Sequence, residues 1–202
     1  MSTKLAIALV AAALPMSLPL SVSAAPDNYT IDPYHSYVHF EVDHIGGLSR
    51  MRGRFDKTAG KFSLDQAAKT GSLDVTVQTS SVNTGDNDKG SRPRSRDEHL
   101  RAADFFNAAE FPTMTFKSTK VVFKGDNPGS IEGNVTLLGV SKPVTLNVER
   151  WRCMPHPQSK RDMCGGNATG VVKRSDFGMK FGIPSVGDEL ALFIGIEGYK
   201  DQ

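Results

Sequence analysis

Apolar and polar side chains trade places at every second position over segment after segment of this chain, and that period confines it to a largely β architecture. Val38, Phe40 and Val42 fall on one face of a first strand, with Tyr37, His39, Glu41 and Asp43 on the other. Leu73, Val75 and Val77 alternate with Asp74, Thr76 and Gln78; Ile131, Val135 and Leu137 alternate with Glu132, Asn134 and Thr136. Gly139 to Pro143 then reads as a turn into Val144, Leu146 and Val148, opposed by Thr145, Asn147 and Glu149, which completes a hairpin. Further strands fit Met51 to Leu64, where Gly53 and Gly60 mark bends or bulges, and Met114 to Phe123, Asn167 to Arg174 and Leu190 to Glu197. Gly46-Gly47 and Gly125-Asp126-Asn127-Pro128-Gly129 are turn signals between them. Eight such strands without a βαβ rhythm predict an all-β, eight-stranded antiparallel barrel, whose closure also removes the exposed sheet edges.

One stretch breaks the period. From Arg96 to Phe106, Leu100, Ala103 and Phe106 recur at helical spacing, and Asp97 and Glu98 lie in the first turn, where acidic side chains suit the helix dipole. Pro112 ends any helix and biases Phe111 toward an extended backbone. A short amphipathic insert among strands needs an apolar surface to cover, and the open end of the barrel supplies one. Ahead of it, Gly85 to Ser95 is polar and aperiodic and reads as a solvent loop with the composition of a disordered one.

The N-terminus belongs to another function. Lys4, the apolar run Leu5 to Leu14 and the small-residue pattern Ser21-Val22-Ser23-Ala24 predict a secretory signal over residues 1–24, cleaved to leave a barrel domain over 25–202 in the periplasm. Its apolar run is too short, and too broken by Pro15 and Pro19, to span a bilayer. The whole chain carries 24 Lys and Arg against 22 Asp and Glu; without Lys4 the balance is 23 against 22, which argues against a nucleic-acid partner. In an oxidising compartment Cys153 and Cys164 predict a disulfide, closing a loop of about 12 residues and contributing about 3 kcal/mol on the chain-entropy model. A metal reading of Cys153, Met154, His156 and Cys164 competes with it.

A search for catalytic chemistry finds no constellation. His35 and His39 share strand parity, but His44 lies on the opposite face, so a three-histidine metal centre is not supported. His99 reads as a hydrogen-bonding member of the helical insert in preference to a general base. Ser141 and Ser175 lack a nucleophile elbow, and Asp176-Phe177-Gly178 stands without any companion kinase motif. The sequence therefore predicts no catalytic residues, no resident metal and no cofactor.

Five separated motifs resemble the YceI-like family in the right order. Arg96-Asp97-Glu98-His99-Leu100-Arg101 through Asp104-Phe105-Phe106, then Phe111-Pro112-Thr113-Met114-Thr115-Phe116-Lys117-Ser118-Thr119, is similar to that family's signature. Tyr29-Thr30-Ile31-Asp32-Pro33 resembles its opening, and Arg52-Gly53-Arg54-Phe55 its second strand. Gly139-Val140-Ser141-Lys142-Pro143-Val144-Thr145-Leu146 and Arg174-Ser175-Asp176-Phe177-Gly178 complete the set. An eight-stranded barrel can be filled by side chains or hold one small ligand, and the residues alone leave that open. The resemblance implies a lipocalin-like cavity that encloses an isoprenoid lipid, a polyisoprenoid or an isoprenoid quinone, without catalysis.

On that reading the lining comes from Val38, Phe40, Val42 and Phe55, from Val75, Val77, Met114 and Phe116, and from Val135, Leu137, Leu146, Val148, Leu192 and Ile194. Leu100, Phe105 and Phe106 would cover one end, and Arg52, Arg54, Arg96 and Arg101 are the candidates to meet a head group. The lipid is the expected partner, with transient membrane contact for loading and a homodimer both compatible with it. The alternatives are an accessory of quinone and electron-transfer metabolism, with His99 or a bound quinone as the reactive element, and a metal-binding stress protein.

Overall fold

The computed structural model describes residues 25–202; the expected signal segment lies outside the described residues. The strands are β1 (Asp27–Ile31), β2 (Tyr37–His44), β3 (Ser49–Phe55), β4 (Thr58–Asp65), β5 (Thr70–Gln78), β6 (Val82–Asn83), β7 (Thr113–Lys124), β8 (Asn127–Leu137), β9 (Val140–Pro155), β10 (Asp162–Lys173) and β11 (Val186–Lys200), with one helix, α1 (Arg96–Arg101), between β6 and β7. β11 takes β2 along its first half and β1 along its second, so β1 and β2 form one interrupted stave of the barrel. β3 and β4 pair with those two in turn, and β5 and β6 with β4 and β3, giving two more interrupted staves. With β7 to β11 the ring has eight staves, all antiparallel and each beside its neighbour in sequence, and the β1–β11 pairing closes it. The expected eight-stranded antiparallel barrel with a helical insert at one end is the fold.

The interior is a continuous apolar core from Tyr29 and Phe62 to Phe105 and Phe177. Close approach sets one glycine: a Cβ on Gly53 would stand 2.4 Å from the Phe40 ring, so the bare backbone makes room for that aromatic inside the barrel. On the outside Glu41 is only 5% exposed, and it accepts from Arg50 Nη1 at 2.7 Å and Arg52 Nε at 2.6 Å.

The ring is incomplete at one place. β6 pairs only with β3, and β7 begins at Thr113 against Gln78, so a gap opens between them at what we call the helix end. Residues 84–112 fill it. α1 starts with a capping box, in which Glu98 N donates to Ser95 Oγ at 3.1 Å and Ser95 N to Glu98 Oε2 at 2.8 Å. It ends at Arg101, shorter than the helical spacing of Leu100, Ala103 and Phe106 suggested, because Ala102 adopts an extended backbone and turns through Asn107 take over. The expected loose loop before α1 is instead tied down: Arg92 clamps the Asp86 carboxylate with both Nη atoms, at 2.7 and 2.6 Å.

A second plug meets the first. Between β10 and β11, Arg174 is 1% exposed; its guanidinium donates to the carbonyls of Gly187, Phe181 and Val186 at 2.7 to 2.8 Å and to Met179 at 3.3 Å. His99, Phe105 and Phe181 pack edge to face where the two plugs touch, with ring centroids 4.9 to 5.4 Å apart. At the opposite, disulfide end, β9 and β10 run on as a long hairpin. Cys153 and Cys164 are directly paired there and bonded, so the strands run on into the segment expected as a loop and leave only 156–161 as its turn.

Candidate functional site: an apolar cavity in the disulfide half

The closed barrel keeps an interior cavity of about 50 Å³ in its disulfide half. β4 contributes Phe62 and Leu64, β5 Leu73, β7 Val121, β8 Pro128 and Ile131, β9 Leu146, Val148 and Trp151, β10 Ala168, and β11 Ile194 and Ile196. Serine hydroxyl carriers Ser63 and Ser72, which bond each other at 2.7 Å, and Asn167 are the polar residues of the wall; none of the lining residues carries a charge. Phe62 stacks on Tyr29, with centroids 4.7 Å apart, and meets the Trp151 indole edge-on at 5.5 Å.

Trp151 is the chain's single tryptophan. Its Nε1 is buried and has no hydrogen-bond partner, so the cavity wall contains a donor without an acceptor. The wall holds no carboxylate, imidazole, amine or thiol. What it can do is exchange water for hydrocarbon.

The expected lining residues divide between two places. Leu146, Val148 and Ile194 face this cavity. Phe40, Phe55, Val75, Val77, Phe116 and Leu137 are buried in the core toward the helix end, with Val38, Met114, Val135 and Leu192 packed against them. Val42 is buried near the rim. Phe105 and Phe106 are buried in the insert, Phe106 edge-on to Phe55 at 5.2 Å, with Leu100 packed against that core.

The four arginines are spoken for. Arg52 binds Glu41; Arg54 binds Asp56 at 2.7 Å and lies over the Tyr37 ring; Arg96 approaches Asp86 at 3.4 Å; Arg101 donates to the carbonyls of Ser80 and Val82 at 2.8 and 2.9 Å. None of them lines the cavity. His99 Nε2 lies 2.9 Å from Asp104 Oδ2 inside the insert, as its sequence context suggested. Asp104 is held below the usual carboxylate range by the hydrogen bond from Arg94 and then by that from His99. The disulfide leaves no free cysteine, which overturns the metal set that needed both thiols.

An antiparallel up-and-down barrel around a small apolar cavity defines the class: a lipocalin-like barrel with a plugged end. The YceI-like domain model matches residues 29–198, and the chain belongs to that family. Protein YceI of Salmonella arizonae is 35% identical over 183 residues, which cover 89% of this chain and 91% of that one. Among solved structures, Burkholderia cenocepacia BcnA aligns with a TM-score of 0.68 at 22% identity, over 83% of this chain and 98% of its own. A domain from Saccharophagus degradans, described as a polyisoprenoid binding domain implicated in plant cell wall breakdown, aligns with a TM-score of 0.60 at 17% identity, over 86% and 98%. At these identities the two structures speak for the fold.

Proposed function

We propose that the protein is a non-catalytic lipid carrier, exported to the periplasm, that sequesters a polyisoprenoid or an isoprenoid quinone in the barrel. The observation that carries this is the cavity itself, walled by seven of the eight staves and lined without a charged side chain. The polyisoprenoid-binding description of the Saccharophagus degradans domain supports it. Hydrocarbon burial is worth roughly 0.8 kcal/mol per CH₂, so a chain of isoprene units needs a dry tube more than it needs polar contacts. The step is partition from a membrane into the barrel and back, with no bond made or broken.

The cavity of about 50 Å³ is smaller than the roughly 300 to 1,000 Å³ of small-molecule pockets. Uptake therefore requires lining side chains, Trp151 and Phe62 first among them, to rotate away from each other. A ligand with a carbonyl or hydroxyl near its head would also supply the acceptor that Trp151 Nε1 lacks.

Organic extraction of the exported protein followed by mass spectrometry, beside native mass spectrometry, should show one isoprenoid per chain. Because Trp151 is the sole tryptophan, titration with an isoprenoid quinone should quench the intrinsic emission and saturate at one equivalent. A ligand-free mass together with unquenched emission would overturn the carrier reading.

A further inference from the structure

We propose that the outer face of the disulfide end binds one soft monovalent cation, Cu(I) or Ag(I), through the thioethers of Met154 and Met163 and the imidazole Nε2 of His35. Met154 and Met163 are directly paired across β9 and β10, so their side chains leave the same face of the sheet. Directly opposed Cβ atoms are about 4.5 to 5.5 Å apart, which lets two flexible thioethers converge on one ion. The neighbouring row on those strands, Cys153 and Cys164, points to the other face and is already oxidised, so thiolates cannot substitute for the methionines. His35 lines the same surface groove of about 320 Å³ as Met154 and Met163. Its floor includes Gly165, Gly166 and Gly195, which put no side chain in the way of an ion.

The histidine is prepared for ligation. His35 Nδ1 stands 2.7 Å from Asp32 Oδ2, while Asp32 Oδ1 accepts from the Tyr34 amide at 2.9 Å. A carboxylate that accepts a hydrogen bond from Nδ1–H favours the tautomer in which Nε2 offers its lone pair, the usual partner arrangement of a metal-binding histidine. The segment is pinned to β11 in turn, by Asp32 N and Ser36 Oγ on the Glu197 carbonyl at 2.8 and 3.1 Å. His156 is the poorer ligand, since its Nδ1 already accepts from the amides of Gln158 and Ser159 at 3.3 and 3.1 Å.

Charge and softness select the ion. Arg150 and Arg152 line the groove, and Glu197 offsets one of them, so a divalent ion meets more repulsion than a monovalent one. Thioether sulfur favours Cu(I) over zinc, magnesium or calcium. Among the described residues no three His, Cys, Asp or Glu side chains converge, so no harder site competes on this chain.

Anaerobic titration of the oxidised, full-length exported protein with Cu(I) against a chromophoric Cu(I) chelator, and with Ag(I) as a redox-inert probe, tests this. One ion should bind per chain, and X-ray absorption should report two sulfurs and one nitrogen. Replacing both methionines by leucine, which conserves volume and fold, should abolish binding, and Asp32→Asn should weaken it about tenfold. Retention of the ion by the Met154→Leu/Met163→Leu protein, or equal occupancy by Zn(II), would overturn the site. So would no binding by a wild-type protein whose Met154 and Met163 methyl resonances stay unmoved on adding Ag(I).

Discussion

The two ends of the barrel are closed by opposite means. At the helix end the plugs are held chiefly by two buried polar side chains, Asp97 and Arg174, that have found partners. Asp97, 1% exposed, accepts from the Thr84 amide and hydroxyl at 2.9 and 2.7 Å, and Arg174 serves four carbonyls. At the disulfide end polar partners are withheld from the interior. The cavity wall is apolar, its one tryptophan N–H goes unmet, and the rim is fixed by a covalent bond. A buried polar network fixes one geometry because any other leaves groups unsatisfied. An apolar wall has no such penalty for moving, so side chains can part for a hydrocarbon chain. The polar end specifies shape, and the apolar end leaves room for a guest.

The largest test of this contrast is Arg174→Met. Burial pushes the guanidinium below its ordinary value, with Asp188 opposing, yet it stays a cation whose four hydrogen bonds all go to backbone carbonyls. Truncation strands several buried carbonyls and should cost at least about 3 kcal/mol, a fall in Tm of roughly 6 °C or more. Thermal unfolding followed by circular dichroism checks it; a shift below about 2 °C would mean that the plug does not depend on this residue.

Next comes the staple. Replacing Cys153 and Cys164 together by serine releases a loop of 11 residues' separation, for a loss of about 3 kcal/mol or somewhat less. The contrast sharpens if amide exchange rises in β9 and β10 while the insert around α1 stays protected. Equal loosening at both ends would make the barrel one cooperative unit and the contrast between its ends empty.

The helix half was legible in the sequence because alternation there is unbroken. Phe55, Val75, Phe116 and Leu137 all sit inside, as their period says. The cavity half was less legible because several staves slip by one residue midway. After Phe55 the interruption at Asp56 and Lys57 moves the inward set to Thr58, Phe62 and Leu64. On β7 the register shifts between Ser118 and Lys120, so Phe116 is followed inward by Val121. On β9 the bulge opposite Asn167 and Ala168 turns the sequence Leu146, Val148 into Trp151. A strict period of two carried past those points places Phe62, Val121 and Trp151 outside. The signal was present at two of them, in the Asp56-Lys57 polar pair within an apolar strand and in the bulky Trp151 out of phase with its neighbours. The partners of Arg52, Arg54, Arg96 and Arg101 were not legible either, because charge in a sequence shows no partner and each of these has one.

A smaller effect is expected from filling the cavity. Val148→Phe puts a ring into the roughly 50 Å³ that Leu146, Trp151 and Ile194 enclose. Stability should change by no more than about 1.5 kcal/mol, because added contacts offset strain. Quinone quenching of Trp151 should weaken at least tenfold, whereas Phe116→Leu, nearer the helix end, should leave it within about twofold. If the two variants bind alike, the lipid does not use this half of the barrel.

The smallest difference between the ends should appear in acid. Asp86 is held below its ordinary value by the hydrogen bond from Arg92, Asp104 by Arg94 and then His99, and Asp188 by Ser175. A carboxylate whose folded pKa is depressed contributes stability that is fully present above the unfolded value, about 3.9, and is lost as pH falls through the folded value. Asp86 and Asp104 belong to the first plug, and Asp188, near the start of β11, holds Ser175 of the second, so the helix end should loosen below about pH 4. At the other end Asp126 is likewise lowered by Lys69, but that pair joins two exposed turns and does not hold the stapled rim. Hydrogen exchange at pH 3 and pH 6, corrected for intrinsic rates, should show protection lost between Thr84 and Asp104 and around Ser175, while the disulfide-end halves of β10 and β11 keep theirs. The reverse order would place the acid-sensitive closure at the cavity and make pH a candidate trigger for lipid release.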